Sequence, residues 1–401
     1  MSLRHVIPDE ELVLVQEGLT KAYVPNLEKY RVGRKIEPAH APVFYNPAMT
    51  LCRTFSIIVT EAYRRFFDVD ELIVCEPLAG TGIRGLRYLF EVKNVKKVIM
   101  NDIDERAFYV MKKNVDLHGI QDMVELHNSD ASTLMLELRQ RYPVNVIDID
   151  PFGSPIQFLH AALRLIRHGG LLSVTATDVG VLMGRHPQKC IRRYGARPIQ
   201  SSSFSREVGI RILVGAIARI ALEFDYGVKP LIAYYEGHYY RVFLLVGKDR
   251  ADARETIDNL GYLVYDRESG ERALMTSYPV PVSTASLRGE LYGPLWVGKL
   301  VDLNFMKAVR EVYSEYTYAH SQKLTNLIES LYEEAPLSHK IYYTSSETCR
   351  RLGREMSASK IVDLLLSLGI DASRTHFDSR GFRTVTSLDH VRRVINLALS
   401  S

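Results

Sequence analysis

The stretch Val146-Ile-Asp-Ile-Asp-Pro-Phe-Gly-Ser-Pro155 has the pattern of a short buried strand that ends on an acid. Pro151 cannot donate a hydrogen bond to a sheet and Gly153 tolerates a tight turn, so we predict that the strand ends at Asp150. In an open α/β sheet, ligands bind beyond the carboxyl ends of the strands. Asp150, Pro151 and Phe152 are therefore expected at a ligand-binding edge.

The same three residues suit a planar base. An aromatic ring such as that of Phe152 can stack on a base, while the carboxylate of Asp150 accepts a hydrogen bond from an exocyclic amine. An ordinary strand-to-helix turn explains these residues equally well at this point, because Asp is common as a helix N-cap and Pro at the first helical position. The four residues Asp150-Pro-Phe-Gly153 alone leave both interpretations open.

Alternating strand and helix patterns surround this stretch. Four further apolar runs end on polar residues and predict strands: 72–75, 98–100, 124–126 and 171–174. A lead-in with hairpin character covers 1–43, and a helical pattern covers about 50–67. Two adjacent strands are predicted at 230–235 and 239–246. Five strand–helix units and a terminal hairpin predict a seven-stranded, doubly wound and mostly parallel α/β sheet.

The strand–helix alternation then stops. A hairpin is expected around 262–272, and Gly293-Pro-Leu-Trp-Val-Gly298 is rich in turn-forming residues. We therefore predict a domain boundary there, which gives domains 1–298 and 299–401. From about 339 the pattern is helix, turn, helix, hairpin and final helix, which is typical of a winged helix. Such modules bind nucleic acids or other proteins.

The composition excludes several classes of protein. With 401 residues, 46% hydrophobic and 24% charged, the chain is long enough for two or three globular domains. No stretch approaches the roughly 20 apolar residues of a membrane span, and the N-terminus lacks the apolar core of a signal peptide, so we expect a cytoplasmic protein. The four cysteines are far apart in the sequence, which is typical of neither a disulfide framework nor a zinc knuckle.

A glycine-rich turn, Gly80-x-Gly82-x-x-Gly85, follows the first predicted strand of the sheet and opens a helix. With Asp102 at the end of the next strand, this is the dinucleotide-binding pattern, in which the acid binds ribose hydroxyls. A pocket for S-adenosylmethionine would use two more acids, Glu76 before the first glycine and Asp130 after the third strand. The alternative is a glycine turn that binds no ligand. In that case the presence of an acid at each of three strand ends would be a coincidence.

A basic segment follows the fifth strand of the sheet. Between residues 184 and 211 the only acid is Glu207, against seven basic residues: Arg185, Lys189, Arg192, Arg193, Arg197, Arg206 and Arg211. A basic loop on the rim of the predicted site would bind phosphates, with a marked salt dependence. A solvated run of surface charges is the alternative. The net charge of +4 is too small to identify a nucleic-acid partner by itself.

Several motifs together resemble one known family, the tRNA (guanine-N2-)-dimethyltransferases. The matching stretches lie across most of the chain: Phe44-Tyr-Asn-Pro-x-Met49, Gly82-Ile-Arg-Gly-x-Arg87, Asn101-Asp102, Asp150-Pro-Phe-Gly-Ser-Pro155, Val174-Thr-Ala-Thr-Asp178, Glu207 with Arg211-Ile-Leu, Tyr234-Tyr-x-x-His238-Tyr-x-Arg241, Gly293-Pro-x-Trp296 and Arg374-Thr-His-Phe377. The resemblance implies a Rossmann-like class I methyltransferase sheet with a C-terminal α+β, winged-helix-like domain. It also implies an enzyme that binds tRNA and makes N2,N2-dimethylguanosine at tRNA position 26.

Site residues follow partly from the motifs themselves and partly from this resemblance. Glu76, Gly80 and Gly82 are assigned to an S-adenosyl-L-methionine pocket from the glycine-rich turn. The resemblance implies five further cofactor residues: Arg53, Arg84, Asp102, Asp130 and Ala131. It also implies that Asp150, Pro151 and Phe152 hold the target guanine. Five residues are assigned to the tRNA: Phe44, Arg185, Arg192, Arg193 and Arg197.

Metal binding is the one family feature that we do not expect here. Some members hold zinc through cysteines that follow the catalytic domain. Residues 247–292 of this chain contain no cysteine. We therefore predict no metal site, and no obligate protein partner is predicted either.

The expected chemistry centres on the exocyclic N2 of guanine, a poor nucleophile because its lone pair is delocalised into the ring. We expect Asp150 to hold the amine in line with the methyl group and to accept its proton, while Phe152 stacks on the base. Three other functions stay open from the sequence: methylation of another amine such as adenine N6, hydride transfer with NAD, and tRNA binding without catalysis.

Overall fold

A computed structural model describes residues 7–32, 35–279, 289–350 and 355–400. Near the N-terminus, β1 (Leu12–Glu17) and β2 (Thr20–Pro25) pair as an antiparallel hairpin, which confirms the hairpin expected in the lead-in. Two shorter strands, β3 (Arg31–Val32) and β4 (Lys35–Ile36), form a second antiparallel pair. Helix α1 (Thr50–Phe66) follows and matches the helical pattern predicted there.

Seven strands form the main sheet: β5 (Leu72–Glu76), β6 (Val95–Asn101), β7 (Val124–His127), β8 (Val146–Ile149), β9 (Gly170–Ala176), β10 (Gly227–Glu236) and β11 (Tyr239–Gly247). Their spatial order is β7-β6-β5-β8-β9-β11-β10. Neighbours from β7 to β9 pair in parallel, whereas β10 and β11 form an antiparallel hairpin, so the sheet is mixed. The predicted seven-stranded α/β sheet is confirmed.

Helices lie between these strands in the sequence: α2 (Ile83–Glu91), α3 (Glu105–His118), α4 (Ala131–Leu138), α5 (Ile156–Leu165), α6 (Val179–Leu182), α7 (Pro187–Tyr194) and α8 (Ser205–Leu222). Every residue of β8 and β9 is buried. Strands that are buried on both faces need apolar side chains at almost every position. This is why both strands stand out in the sequence as nearly continuous apolar runs.

Helix α7 corrects one prediction. The sequence predicts a basic loop after the fifth strand of the sheet, whereas Pro187–Tyr194 form a helix. Cys190 and Tyr194 are buried and lie four residues apart, so they share one face of α7. Two apolar positions among many charges are too few to indicate helical periodicity in the sequence.

The remainder of the chain, after β11, contains six α-helices among its described residues: α9 (Arg250–Asp258), α10 (Leu303–Glu315), α11 (Gln322–Glu334), α12 (Ser345–Cys349), α13 (Ala358–Ser367) and α14 (Leu388–Ser400). Its strands are β12 (Leu260–Tyr265), β13 (Arg272–Thr276), β14 (Glu290–Trp296), β15 (Tyr343–Thr344), β16 (Ala372–Arg374) and β17 (Gly381–Thr384). They form two three-stranded sheets, in the orders β13-β12-β14 and β15-β17-β16.

Three of these elements were not predicted from the sequence, and one of them is the two-residue strand β15. Helix α9 is short and is capped by Asp249, whose carboxylate accepts a hydrogen bond from the backbone N–H of Asp252 at 2.8 Å. Strand β14 pairs with β12 although it contains Gly293 and Pro294, the turn-forming residues that concealed it. The hairpin expected around 262–272 is confirmed as β12 and β13.

The chain divides into two compact units. The first unit contains the described residues of Met1–Pro151, Gln157–Val174 and Ala308–Leu324; the second contains those of Phe152–Ile156, Thr175–Lys307 and Thr325–Ser401. The domain boundary after 298 and the winged-helix character of the C-terminal region stay predictions. Within the described ranges, no helix has the length and apolar character that a membrane crossing needs.

The four cysteines are free thiols, and all of them are buried. They lie in four different elements: Cys52 in α1, Cys75 in β5, Cys190 in α7 and Cys349 in α12. Burial raises the pKa of the Cys190 thiol to about 12. That thiol is therefore protonated at neutral pH.

A buried network of charges holds together distant parts of the second unit. Glu207 in α8 accepts hydrogen bonds from Arg211 at 2.8 Å and from Arg383 in β17 at 2.8 Å. The Nε of Arg383 also donates to Glu334 at 2.9 Å. All four side chains are buried. Helices α8 and α11 and strand β17 are therefore joined through one arginine.

His376 extends this network to the main sheet within the same unit. Its Nε2 accepts a hydrogen bond from the backbone N–H of Tyr235 in β10 at 3.1 Å. Its Nδ1 contacts Glu334. Since Nε2 is the acceptor, Nδ1 carries a proton and donates it to the carboxylate.

Arg383→Met tests the energetic weight of the network. The substitution leaves two buried carboxylates without their shared cation, so we expect the free energy of unfolding to fall by about 3–5 kcal/mol. Guanidinium unfolding followed by circular dichroism measures this change. Lys96→Met is the matched control, because Lys96 pairs with Glu71 on the surface and both side chains are more than half exposed. The control is expected to lose less than about 1 kcal/mol; equal losses in both variants would contradict the assignment.

Candidate active site

Asn101 joins three turns at the carboxyl edge of the sheet in the first unit. Its side-chain amide donates to the backbone oxygens of Pro77 at 2.9 Å and Ser129 at 3.0 Å, and its Oδ1 accepts from the N–H of Ser129 at 3.0 Å. The turns after β5, β6 and β7 are thereby held together. The sequence analysis assigned no role to Asn101. An amide directly before the acid at a strand end is the signal that could have indicated one.

The glycine-rich turn after β5 lies against Phe44. Gly80 has a φ of +55°, and a Cβ at this position would lie 3.1 Å from the backbone oxygen of Phe44. Gly82 has a φ of +75° and directly precedes α2. Both conformations favour glycine. The structure therefore places the backbone of Phe44 against Gly80, and these two predicted site residues are far apart in the sequence.

Asp102 orients this turn. Its Oδ2 accepts a hydrogen bond from the backbone N–H of Gly80 at 2.9 Å, and its Oδ1 accepts one from Asp104 at 3.0 Å. Burial raises the pKa of Asp102 against the opposing effect of these backbone hydrogen bonds. Next to it in the chain, Ile103 is 69% exposed, which is unusual for a large apolar side chain at a strand end. No sequence pattern indicated a role for Ile103.

Asp130 and Ala131 lie at the start of α4, after β7. Asp130 is exposed and caps the helix, because its Oδ1 accepts from the backbone N–H of Thr133 at 2.8 Å. Ala131 is buried. The carboxyl edge thus offers a glycine turn without side chains, a half-buried acid, an exposed apolar side chain and a further acid. This set of groups fits an adenosine, whose ribose needs acceptors and whose base needs an apolar surface.

Arg84 in α2 lies among three carboxylates. Its Nε is 3.7 Å from Glu76 at the end of β5, and its Nη1 is 3.5 Å from Asp148 in β8. Its Nη2 contacts Oδ2 of Asp150, directly after β8. Arg84 is buried, and its Nη1 also donates to the hydroxyl of Ser56 at 3.0 Å. One guanidinium therefore gathers the acids of two neighbouring strands.

The surroundings of Glu76 favour its protonated form. Burial raises its pKa, the charge of Arg84 opposes this effect, and Asp148 adds to it, with a resulting pKa of about 8. Its Oε2 also accepts a hydrogen bond from the backbone N–H of Gly85 at 2.8 Å. Even when Glu76 is neutral, Asp148 and Asp150 still face one guanidinium, so the cluster keeps an excess of negative charge.

The turn after β8 presents Asp150 and Phe152 differently. The side chain of Asp150 is 20% exposed, Pro151 is buried, and Phe152 is 69% exposed. Across the described residues, no hydrogen bond engages Oδ1 of Asp150. Helix α5 begins only at Ile156, so Asp150 is not its N-cap and that interpretation is wrong.

Arg53 in α1 is engaged by an acid from the N-terminal hairpin. Its Nε donates to Glu17 at 2.8 Å, and its Nη2 donates to the backbone oxygen of Asn46 at 3.1 Å. Arg53 and Glu17 are both buried. The guanidinium thus lies inside the first unit in an ion pair that the sequence did not indicate.

The predicted tRNA-binding arginines belong to the second unit. Arg193 pairs with Asp178 at 2.6 Å, and Arg197 pairs with Glu290 at 2.7 Å. Arg185 and Arg192 are exposed. The four arginines that the sequence grouped together therefore have two different environments.

The strand order, the glycine turn and the acids at three strand ends define a Rossmann-like methyltransferase. The sequence profile of the N2,N2-dimethylguanosine tRNA methyltransferases matches residues 22–396, and the chain belongs to this family. It is 36% identical over 389 residues to the tRNA (guanine(26)-N(2))-dimethyltransferase of Pyrobaculum islandicum, which covers 96% of this chain and 100% of the relative.

Two further relatives support the same family. The corresponding enzyme of Aeropyrum pernix is 38% identical over 386 residues, covering 93% of this chain and 94% of the relative. Among solved structures, the complex of Trm1 from Pyrococcus horikoshii with S-adenosyl-L-methionine is similar, with a TM-score of 0.83 and 32% identity. That likeness covers 96% of this chain and 99% of the solved chain.

Glu76→Gln tests the protonation state of the acidic cluster. A carboxyl whose pKa rises from 4.5 to about 8 on folding stabilises the protein at low pH, and this contribution is lost as the pH rises toward 8. Gln stays neutral, so the variant is expected to lose less stability than the wild type between pH 5 and pH 8. Thermal unfolding across this range measures the difference. Glu71→Gln, on the surface, is the control; parallel curves for Glu76→Gln and wild type would refute the elevated pKa.

Proposed function

We propose that this protein transfers methyl groups from S-adenosyl-L-methionine to the exocyclic N2 of guanine at position 26 of tRNA. Two successive transfers would give N2,N2-dimethylguanosine. The observation that carries the proposal is the turn after β8, where a half-buried Asp150 is followed by a buried proline and a largely exposed Phe152. Relatives named for this reaction match the chain over nearly its whole length.

Most residues assigned to the cofactor would hold its adenosine part. The glycine turn at Gly80 and Gly82, with Asp102, would hold the ribose, and Ile103 would lie against the adenine. Asp130 and Ala131 would complete this end of the pocket. When bound, S-adenosyl-L-methionine supplies an electrophilic methyl group on a positively charged sulfur. The negative excess around Arg84 favours a cationic ligand at this edge.

Arg84 is assigned a positioning role. Its guanidinium engages Oδ2 of Asp150, and this ion pair fixes the orientation of the carboxylate and therefore the direction of Oδ1. A carboxylate held in this way accepts an N–H of the guanine N2 from a defined direction, so the lone pair of the amine is aligned for attack. Glu76 and Asp148 hold the other nitrogens of the guanidinium and limit its movement.

Asp150 therefore acts mainly by orienting the amine. The neutral amine has little basicity, but its proton becomes strongly acidic once nitrogen carries the new methyl group. Loss of that proton to Asp150 or to water then needs little assistance. Phe152 would stack on the guanine after the base leaves its position in the tRNA, which costs a few kcal/mol of unstacking.

Substrate binding extends the proposal to other parts of the chain. Phe44, beside the glycine turn, and the basic residues of 184–211 that have no carboxylate partner among the described residues would contact the tRNA. The predicted domain 299–401, winged-helix-like from about 339, would bind tRNA as well; its three-stranded sheet β15-β17-β16 and helices α12 and α13 support this assignment. A cytoplasmic location and a tRNA partner are part of the same proposal.

The reaction is tested with S-adenosylmethionine, a tRNA transcript carrying guanine at position 26, and nucleoside mass spectrometry. We expect N2-methylguanosine first and N2,N2-dimethylguanosine later, with neither product when position 26 is adenine. Methylated adenosine from either transcript would instead identify another amine as the target. Cofactor binding without any methylated nucleoside would refute the proposed substrate.

Substitutions at the turn after β8 test the roles of its two side chains. Asp150→Ala is expected to lower kcat by about 10²- to 10⁴-fold, because the amine loses its orienting acceptor. Phe152→Ala removes a stacking surface worth about 1–3 kcal/mol and should lower kcat/KM by about 5- to 150-fold. Phe90→Ala is the matched control, since Phe90 is another partly exposed phenylalanine. Full activity of Asp150→Ala with normal tRNA binding would show that the assignment is wrong.

A further inference from the structure

The seven basic residues between 184 and 211 do not form one uniform patch. Arg193 is held by Asp178 at 2.6 Å, and Arg197 is held by Glu290 at 2.7 Å. Each of these two cations already has a carboxylate partner. Both are engaged within the second unit, Arg193 in a partly buried pair and Arg197 in an exposed pair whose glutamate also binds Arg267.

Two more of the seven are used inside the same unit. Arg211 is fully buried and bound to Glu207. Arg206 donates to the backbone oxygen of Phe377 at 2.7 Å and lies 3.6 Å from Asp378. Four of the seven cations thus have partners within the second unit, which leaves Arg185, Lys189 and Arg192.

The three remaining cations line one cleft. The cleft has a volume of 410 Å³ and is formed by six residues: Arg185, His186, Pro187, Gln188, Lys189 and Arg192. None of these lining residues is an acid. Arg185, Lys189 and Arg192 are exposed, and no ion pair to any of them is found in the part of the chain that the structure describes.

The arrangement has a physical cost that an anion would offset. Three like charges around one concavity repel one another, and a concave wall concentrates their field at the opening. Lys189 and Arg192 are three residues apart on α7, so they lie on the same side of the helix. The buried Cys190 and Tyr194 hold the opposite face in place. Lys189 and Arg192 are thus presented by a helix, and Arg185 lies in the segment directly before it.

We propose that this cleft binds backbone phosphates of the tRNA through Arg185, Lys189 and Arg192. Arg193 and Arg197 support the segment through Asp178 and Glu290 and do not contact the RNA. Guanidinium groups bind phosphate oxygens in a bidentate manner, and the ammonium group of Lys189 adds a third charge. The choice of tRNA as the source of the phosphates rests on the proposed function.

The test compares two triple variants of the full-length protein. Arg185→Gln, Lys189→Gln and Arg192→Gln together remove the cleft charges. Lys112→Gln, Arg139→Gln and Arg254→Gln remove three exposed charges elsewhere and change the net charge equally. Binding of a tRNA transcript is measured by filter binding at several salt concentrations, and S-adenosylmethionine binding by equilibrium dialysis serves as a check of folding.

The cleft variant is expected to lower the slope of log affinity against log salt by about two to three, since each lost phosphate contact removes about 0.7 to 0.9. Binding at 0.1 M salt should weaken about 10- to 100-fold, with KM for tRNA raised and kcat at saturating tRNA little changed. The control variant should keep most of the slope. Equal losses in both variants, or no loss in the cleft variant, would overturn the proposal.

Two further arms separate the possible sources of phosphate and the underlying function. Inorganic phosphate is titrated against bound tRNA at constant ionic strength. One outcome is that phosphate displaces tRNA from the wild type but not from the cleft variant, while both bind tRNA with the same affinity. This outcome would show that the cleft binds a free anion and would overturn the proposal that it binds tRNA. If the wild type binds tRNA but does not methylate it, the proposed reaction fails, and the comparison of the two triple variants still decides the role of the cleft.

Discussion

The buried guanidinium of Arg84 is the interaction on which the acidic edge of the first unit depends. Glu76, Asp148 and Asp150 come from two neighbouring parallel strands, whose carboxyl ends necessarily meet at the same place. Three carboxyl groups this close cannot all carry a charge cheaply, and the charges that stay would repel one another strongly without a cation among them. Arg84 makes the arrangement stable and at the same time sets the direction of Asp150. Stability of the edge and orientation of the proposed catalytic acid therefore have one cause.

The sequence could predict where the strands end but not what their side chains contact. Buried runs closed by polar residues placed Asp102 and Asp150 correctly at the carboxyl edge, because the two-residue period of a strand and the effect of proline are local. The partners of Arg53 and Arg84 depend on residues 36 and 66 positions away, and no local pattern encodes them. Short helices such as α7 and α9 were missed because each offers only one or two buried positions to establish a period.

In the second unit, basic residues that look alike in the sequence differ in their burial and in their ion-pair partners. A count over 184–211 gives one basic segment, whereas the structure separates it into a fully buried arginine, arginines paired with surface or partly buried acids, and the cations of the cleft. Glu207, the single acid of that segment, is not a surface counter-charge at all, because it binds Arg211 and Arg383 in the interior. Burial, rather than composition, decides which of these residues is available to a polyanion.

The distribution of the cysteines has a practical consequence. Four buried thiols on α1, β5, α7 and α12 are protected from alkylating reagents as long as the structure around them stays folded. Labelling followed by peptide mapping would therefore record, element by element, which part of the protein opens first on heating or in denaturant. The chain carries this set of reporters without any engineered probe, at positions in both compact units.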